Sequence, residues 1–394
     1  MAVTITNSPQ DYTTASNPVV FEFSSTQTAQ TNFSFVVELQ VNGAVHSYHQ
    51  VFPESANFGK FDCSAILRTI VYSELVSDGT LDTAYTNAIA TYKVRVIDKY
   101  GTPPVEIDAG TESSTFTVTN GSLRHADWID YDYTVYDLNS VQDCLFLTLF
   151  PRTSKYFCGL DESMFVGSLM TNAQVSELNV ILYDVTGATI ASSFTNTLVA
   201  AYMLITDVSP TSIVANTTIT DTNFSTCYYY EVQVQHNLAA TEAFKIYIDT
   251  ECSQYTSRRL HWLNKLGVWD SYSFTKYSEE SSNIKTFDYQ KNQGVWSDTN
   301  TFDYGLVNGS SFSGTKSVTD TMKVNTDWIK EEKHNWLMRS LLESPSVYLE
   351  ITQGVFEPVR VSTNKYTLKQ KIKEGLIQEE LTLSRTYSYT SQLS

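Results

Sequence analysis

Phe33-Ser34-Phe35-Val36-Val37-Glu38-Leu39-Gln40-Val41-Asn42-Gly43-Ala44-Val45-His46-Ser47-Tyr48-His49-Gln50-Val51-Phe52 is the stretch that decides the fold class. Two runs rich in β-branched and aromatic residues, Phe33 to Val41 and Val45 to Phe52, flank Asn42-Gly43. That dipeptide favours a type I′ turn, whose two central positions both need a positive φ, so the spacing predicts a β-hairpin. Working outward, Val19 to Phe23 and Tyr92 to Ile97 read as further strands, punctuated by Asp78-Gly79 and Tyr100-Gly101. Between them Asp62 is placed to cap a helix reaching Leu75, because Ile66, Leu67, Ile70 and Val71 recur at helical spacing. Residues 1–120 are therefore expected to form a β-sandwich module with one inserted helix.

Residues 121–255 read as a second β-sandwich module. Its strand candidates are Cys144 to Phe150, Glu177 to Tyr183, Leu198 to Ile205, Tyr228 to Gln235 and Phe244 to Ile248. In Glu231-Val232-Gln233-Val234-Gln235 the strict alternation predicts a half-buried strand with both valines inward. The remaining residues, 256–394, are expected to form a β-rich α+β domain. Gly267-Val268-Trp269 recurs there as Gly294-Val295-Trp296, and Thr286-Phe287-Asp288-Tyr289 as Thr301-Phe302-Asp303-Tyr304, which suggests duplicated hairpin strands. One long helix is predicted from Thr326 to Leu342, capped by Thr326 or Asp327. Its apolar face is Trp328, Ile329, Trp336, Leu337 and Leu341, and Ser344-Pro345 closes it. Tyr366, Leu368 and Ile372 then alternate into a turn at Glu374-Gly375, and Ile377, Leu381, Leu383 and Tyr387 alternate out of it, as a long hairpin would. The fold class that results is mainly β: tandem β-sandwich modules followed by a β-rich α+β C-terminal domain with one long helix.

Composition supports that class. Aromatic residues make up 13% of the chain and charged residues only 18%, which suits pleated, half-buried surfaces and argues against disorder. Charge is unevenly placed. Residues 1–255 hold nine Lys and Arg against 27 Asp and Glu, a net of −18, whereas residues 256–394 hold 17 against 16, a net of +1. The acidic excess argues against a role in binding nucleic acid, since phosphate contacts need clustered cations. Cys63, Cys144, Cys158, Cys227 and Cys252 are scattered and odd in number, so reduced, buried thiols are expected rather than a disulfide framework. The opening Met1 to Pro9 has neither a basic nor an apolar region of a secretory leader, and no apolar run reaches the roughly 18 residues of a membrane helix. Synthesis in a reducing cytoplasm and no membrane insertion are the corresponding expectations.

Catalytic and metal-binding patterns are weak. His46 and His49 stand three apart, so on a strand their rings point to opposite faces. The acidic, aromatic run Asp127 to Asp137 opens with the calcium-loop spacing at Asp130 and Asp132, but Val135 occupies the position of the sharp-turn Gly and Val141 that of the bidentate Glu. Gly309-Ser310-Ser311-Phe312-Ser313-Gly314 is one residue too long for an esterase elbow and reads as a loop tip. No zinc motif, phosphate loop or dinucleotide fingerprint is present, and neither an enzyme nor a cofactor is expected. The main basic cluster, Arg258, Arg259, His261 and Lys265, is interleaved with Trp262 and Trp269. That composition suits either a protein interface or an interdomain packing segment.

The run Arg259-Leu260-His261-Trp262-Leu263-Asn264-Lys265-Leu266-Gly267-Val268-Trp269-Asp270-Ser271-Tyr272-Ser273-Phe274 resembles a motif of virion proteins in tailed phages of Bacteroidetes, including the crAss-like podoviruses. Phe61-Asp62-Cys63-Ser64-Ala65-Ile66-Leu67-Arg68 and the segment from Val324-Asn325-Thr326-Asp327-Trp328 to Ser344-Pro345-Ser346-Val347-Tyr348-Leu349 resemble the same proteins, in the same order. The chain departs from the motif at Val268, where a second Gly is common. The resemblance implies a tail or neck component, a tail-hub or collar ring protein located in the virion and assembled in many copies around the DNA exit path. Its partners would be further copies of itself and other tail or neck proteins. On that reading the subunit contacts are expected in residues 256–394, with Arg258, Arg259, His261, Trp262, Trp269, Trp328 and Trp336 as candidate interface residues. The competing expectation is a host-glycan-binding adhesin, in which exposed Tyr and Trp stack on sugars. A glycan-cleaving tailspike is the third.

Overall fold

The computed structural model describes residues 3–54, 57–75, 81–107, 109–139, 143–236, 239–249, 254–304, 309–363, 365–367 and 376–391. The expected turns at Asp78-Gly79 and Glu374-Gly375, and residues Val141, Cys252, Leu368 and Ile372, lie outside the described residues. The chain is mainly β. Where the sequence suggests three modules, the backbone divides into two compact units, one of Met1–Thr250, His261–Tyr272 and Thr352–Gly354, the other of Glu251–Leu260, Ser273–Ile351 and Val355–Ser394.

The first unit begins with β1 (Val3–Asn7), β2 (Tyr12–Thr14), β3 (Val20–Ser25), β4 (Ser34–Val41), β5 (Ala44–Val51) and β6 (Phe58–Asp62). After the helical turn α1 (Ser64–Leu67) come β7 (Asp82–Ala84), β8 (Ile89–Gly101), β9 (Pro104–Glu106), β10 (Thr111–Glu112) and β11 (Phe116–Thr119). Two sheets result, β1-β3-β6 and β2-β11-β8-β4-β5. Alternate residues of their strands, Phe21 and Phe23, Phe35, Val37 and Leu39, Tyr92, Val94 and Val96, fill one core, as the period of two along a strand requires. The predicted hairpin is β4–β5, with Asn42 at φ 49° and Gly43 at φ 79°. The expected helix from Asp62 shrinks to one turn. Its β-branched Ile66, Thr69, Ile70 and Val71 lower helix propensity; the N–H groups of Thr69, Ile70 and Val71 still bond back to Ile66 and Leu67, and the backbone leaves at Tyr72, whose N–H donates to Asn87 C=O at 2.9 Å.

The unit continues with α2 (His125–Ile129), β12 (Tyr156–Cys158), β13 (Phe165–Tyr183), β14 (Thr189–Asp207), α3 (Pro210–Asn216), α4 (Asp221–Ser225), β15 (Tyr229–His236), β16 (Ala239–Ala240) and β17 (Phe244–Ile248). The sheet order is β12-β17-β15-β13-β14-β7. Pairing of Leu204 with Ala84 brings β7 into this sheet, and it is this strand exchange that ties residues 1–120 to residues 121–250. Val232 and Val234 are buried as the alternation predicts, beside Leu178, Val180, Leu182, Phe244 and Ile246. The expected strand Cys144 to Phe150 forms only the bridge Cys144–Thr241. Consecutive Phe146 and Leu147 are both buried, so this segment covers the sheet instead of joining it, with Phe146 edge-on to Phe244 at 5.8 Å.

The junction strands β18 (Arg258–Leu263) and β19 (Trp269–Phe274) divide between the units, Arg258–Leu260 and Ser273–Phe274 counting with the second. There follow β20 (Glu279–Gln290), β21 (Val295–Trp296), β22 (Phe302–Asp303), β23 (Ser311–Asn325), β24 (Ile329–Lys330), α5 (Glu331–Leu341), β25 (Val347–Thr352), β26 (Val355–Val361), β27 (Leu376–Ile377) and β28 (Glu380–Thr390). The second unit's sheet runs β25-β26-β28-β23-β20, over a core that includes Met322, Val324, Leu337, Leu341, Leu349, Leu381 and Leu383.

The long helix starts five residues later than Thr326. Ile329 and Lys330 pair with Ile377 and Leu376, and Thr326 is bonded to Glu379 through both its N–H and its hydroxyl, each at 2.9 Å, so neither Thr326 nor Asp327 caps the helix. Among the described residues the last strand pairs with β23 and β26, and the Tyr366 hydroxyl donates to Glu343 at 2.8 Å.

Candidate functional site

The junction turn is organised by Asn264. Its backbone N–H donates to Val268 C=O at 2.7 Å, and its side-chain oxygen accepts from the N–H groups of Leu266 at 2.9 Å and Val268 at 3.3 Å. Its amide donates to Leu147 C=O at 2.8 Å and to Asp270 at 3.0 Å. Gly267 sits at φ +88°, and a Cβ there would stand 2.3 Å from Asn120 O, so no other residue fits without displacement. Val268 does not take a positive φ. It packs against Gly167 of β13, where an added Cβ would lie 2.6 Å from Val268, so the small residue stands on the facing strand.

The seven candidate interface residues divide between the units: His261, Trp262 and Trp269 belong to the first, and Arg258, Arg259, Trp328 and Trp336 to the second. Strand alternation sends Arg258 and Arg259 to opposite faces, so a cluster that is contiguous in sequence is not a patch in space. Arg258 is half-buried and pairs with Glu280 at 3.1 Å. Arg259 is buried, donates to Ser273 Oγ at 2.6 Å and lies 3.9 Å from the buried Glu350. His261 is buried with its ring edge towards Phe165, 5.7 Å between centroids, and Trp262 is fully buried. Trp269 is 2% exposed and its indole N–H donates to Tyr85 Oη at 2.5 Å. Trp336 lies in the core side of α5. Only Trp328, 54% exposed, is offered to solvent. For Arg259, His261, Trp262, Trp269 and Trp336, packing within the chain replaces the expected interface role, because these side chains already bury their surface.

The other chemical candidates are structural in the same sense. His46 is exposed, whereas His49 bonds Ser47 at 2.8 Å and packs on Phe61 at 4.8 Å. Asp132 accepts from the Thr134 N–H and hydroxyl at 2.9 and 2.7 Å, which holds its carboxyl below the usual range. Buried Asp137 accepts from Thr171 N–H at 2.9 Å and Oγ1 at 3.0 Å. Most of the Gly309 to Gly314 run is strand, since β23 begins at Ser311. Cys63, Cys144, Cys158 and Cys227 are buried. Burial pushes the thiols of Cys63 and Cys144 up to about 12 and that of Cys227 to about 11, so they stay protonated and inert.

Two features escape the linear sequence. Across four neighbouring strands Phe157, Tyr247, Tyr229 and Tyr183 occupy directly paired positions, with ring centroids 5.8, 5.6 and 4.8 Å apart. Lys155 leans on Tyr247 at 4.5 Å and Lys245 on Tyr229 at 4.3 Å, so much of the ring surface is already in use. The run Tyr228-Tyr229-Tyr230 is the one hint in the sequence, but the partners come from strand pairing.

The second feature is an arm built by β20 and β23. In the sheet order β20 is terminal, and nearly all its residues are exposed. Past Lys316 these two strands pair only with each other among the described residues. Ile284, Val318 and Tyr389 form one cross-strand row. At the far end β21 and β22 make a small hairpin. There the Trp296 and Phe302 rings meet at 5.1 Å and those of Phe302 and Tyr304 at 4.7 Å, with Trp296 67% and Tyr304 70% exposed.

No family model matches the chain, and no curated protein matches it. Among solved structures it is similar to a candidate membrane-anchored protein of Corynebacterium diphtheriae, at 11% identity and a TM-score of 0.21, over 64% of this chain. The chain spans 59% of that protein's length, and a likeness of this degree bears on neither fold nor function. No helix among the described residues is long and apolar enough to cross a membrane.

Proposed function

We propose that the chain is a non-enzymatic structural protein of a tailed-phage virion, a tail-hub or collar component whose copies form a ring around the DNA exit path. The sequence resemblance at the junction supports this reading. The observation that carries it is the placement of exposed apolar side chains. Ile284, Phe287, Val295, Trp296, Tyr304, Tyr387 and Tyr389 all stand out from the second unit, in the part of the chain that carries almost no net charge. They lie on β20, β21 and β28 and just after β22, and exposed apolar groups on neighbouring strands mark a surface that is covered in the working state.

The mechanism of such a protein is assembly. In a ring each contact is head-to-tail, and closure depends on the rotation from one subunit to the next. An electrically balanced contact region lets copies of a strongly acidic chain approach, while the acidic modules face solvent, the lumen or a basic neighbour. Mass spectrometry of purified particles, combined with the mass of the isolated protein in solution, tests the reading. A strictly monomeric protein that is missing from particles would sink it.

A host-glycan-binding role is the second reading, favoured by the Phe157–Tyr247–Tyr229–Tyr183 row. The stacking of Tyr183 on Tyr229, with 18° between planes, turns those ring faces towards each other. A glycan array comparing the native chain with Tyr247→Ala separates the two readings: retained, Tyr247-dependent sugar binding would favour the adhesin.

A further inference from the structure

From the arm we infer that its partner is a second copy of this chain, which covers Ile284, Tyr387 and Tyr389 and the Trp296–Phe302–Tyr304 end hairpin. The inference rests on the assembly reading and names the partner within it.

Stability of the arm is the first argument. An isolated two-stranded ribbon is marginal in water, because neither face is packed. Yet from Thr286–Lys316 to Gln290–Ser311 the strands keep regular pairing, broken by one bulge at Phe287/Asp288, and they carry Phe287 at 68% exposure. Lys291 lies over the ring pair Tyr289 and Phe312 there, at 5.4 and 5.1 Å. Burial of the arm's faces supplies the stabilisation that the ribbon lacks alone.

Area is the second argument. Ile284, Trp296, Tyr304, Tyr387 and Tyr389 are each about two-thirds exposed, whereas Phe287, three residues from Ile284 on the same strand, points to the other face. At ~150–250 Å² for a fully buried aromatic the five offer roughly 600 Å² together, about three-quarters of the ~800 Å² that each partner gives to an interface of standard size.

Charge selects the occupant. From Ile284 to Val318 the sequence holds three lysines, Lys285, Lys291 and Lys316, and three aspartates, Asp288, Asp298 and Asp303. A basic partner would be drawn to the acidic first 255 residues and not to this balanced arm. For a chain of net −17, a region with paired opposite charges is where a second copy can dock without repulsion and with its own lysines and aspartates available to cross-pair.

Sedimentation velocity over a concentration series, on the full chain, reads the result. Wild type is expected to associate. The double variant Trp296→Ser with Tyr304→Ser, and separately Ile284→Lys, are expected to weaken association by at least about tenfold, as truncation of interface aromatics does. Both replace exposed side chains, and an unchanged thermal unfolding midpoint establishes that they fold. Association of both variants at wild-type strength overturns the inference. So does a wild-type chain that is monomeric in solution yet present in particles, which assigns the arm to a different protein and leaves the assembly reading standing. Absence from particles sinks that reading instead, and arm-dependent association would survive it.

Discussion

Gly267-Val268-Trp269 and Gly294-Val295-Trp296 are the same three residues with opposite fates. Both glycines take positive φ, +88° and +72°, and both triplets lead into the second or first strand of a tight hairpin. In the first copy Val268 and Trp269 are buried, the indole bonded to Tyr85 and the valine seated on Gly167. In the second, Val295 and Trp296 stand in solvent, with Phe302 as the ring neighbour of the tryptophan. Local sequence sets the turn in each case. Whether the aromatic becomes core or surface depends on what else the chain brings to it.

The sharpest way to break the comparison is to truncate each tryptophan. Trp269→Ala is expected to cost about 3–5 kcal/mol in denaturant unfolding, from lost packing and a cavity that the surroundings fill incompletely. Trp296→Ala is expected to stay within about 0.5 kcal/mol, as exposed substitutions do. Equal losses would show that the two copies do the same structural job.

A smaller effect is expected at the glycines. Gly267→Ala places a methyl 2.3 Å from Asn120 O at a left-handed φ, and should lower global stability by about 1–3 kcal/mol. Gly294→Ala meets Phe302 at 2.6 Å, also with strain, but should open only the end hairpin. The readout is a change in Trp296 fluorescence with no shift of the main unfolding transition.

A pH-dependent effect concerns a lysine that shows what burial does within the second unit. Burial in α5 pulls the Lys333 ammonium down to about 8, with Asp327 acting in the opposite direction. An unfolded lysine keeps its proton to about 10.4, so the unfolded chain binds more protons between pH 8 and 10 and stability rises with pH across that window. The cost of burying the charge is fully present below pH 8. Lys333→Met should flatten the rise, which amounts to about 3 kcal/mol over the whole window.

Much of the fold is legible in the residues. The Asn42-Gly43 hairpin, the inward valines of β15 and the span Phe244–Ile248 follow from turn chemistry and from alternation. The misses share a cause. Cys144 to Phe150, the run after Asp62 and the first turn before Glu331 each have a plausible local pattern, but their backbone groups find partners far away in the chain, at Thr241, Asn87 and Ile377. The candidate site was less legible. Arg259, Trp262 and Trp269 have the composition of an interface, yet interface and core favour the same aromatic and guanidinium groups, and only solvent exposure separates them.

By itself the sequence determined that this chain is mainly β, that its negative charge lies in the first 255 residues, and where its tightest turns fall, because φ preference, side-chain period and charge are properties of residues and their near neighbours. Tertiary structure alone decided which aromatics are spent inside and which remain on the arm, that β7 joins a sheet whose other strands lie far later in the chain, and that four rings line up across β12, β17, β15 and β13. Burial and cross-strand register depend on segments distant in the chain, so no local reading fixes them.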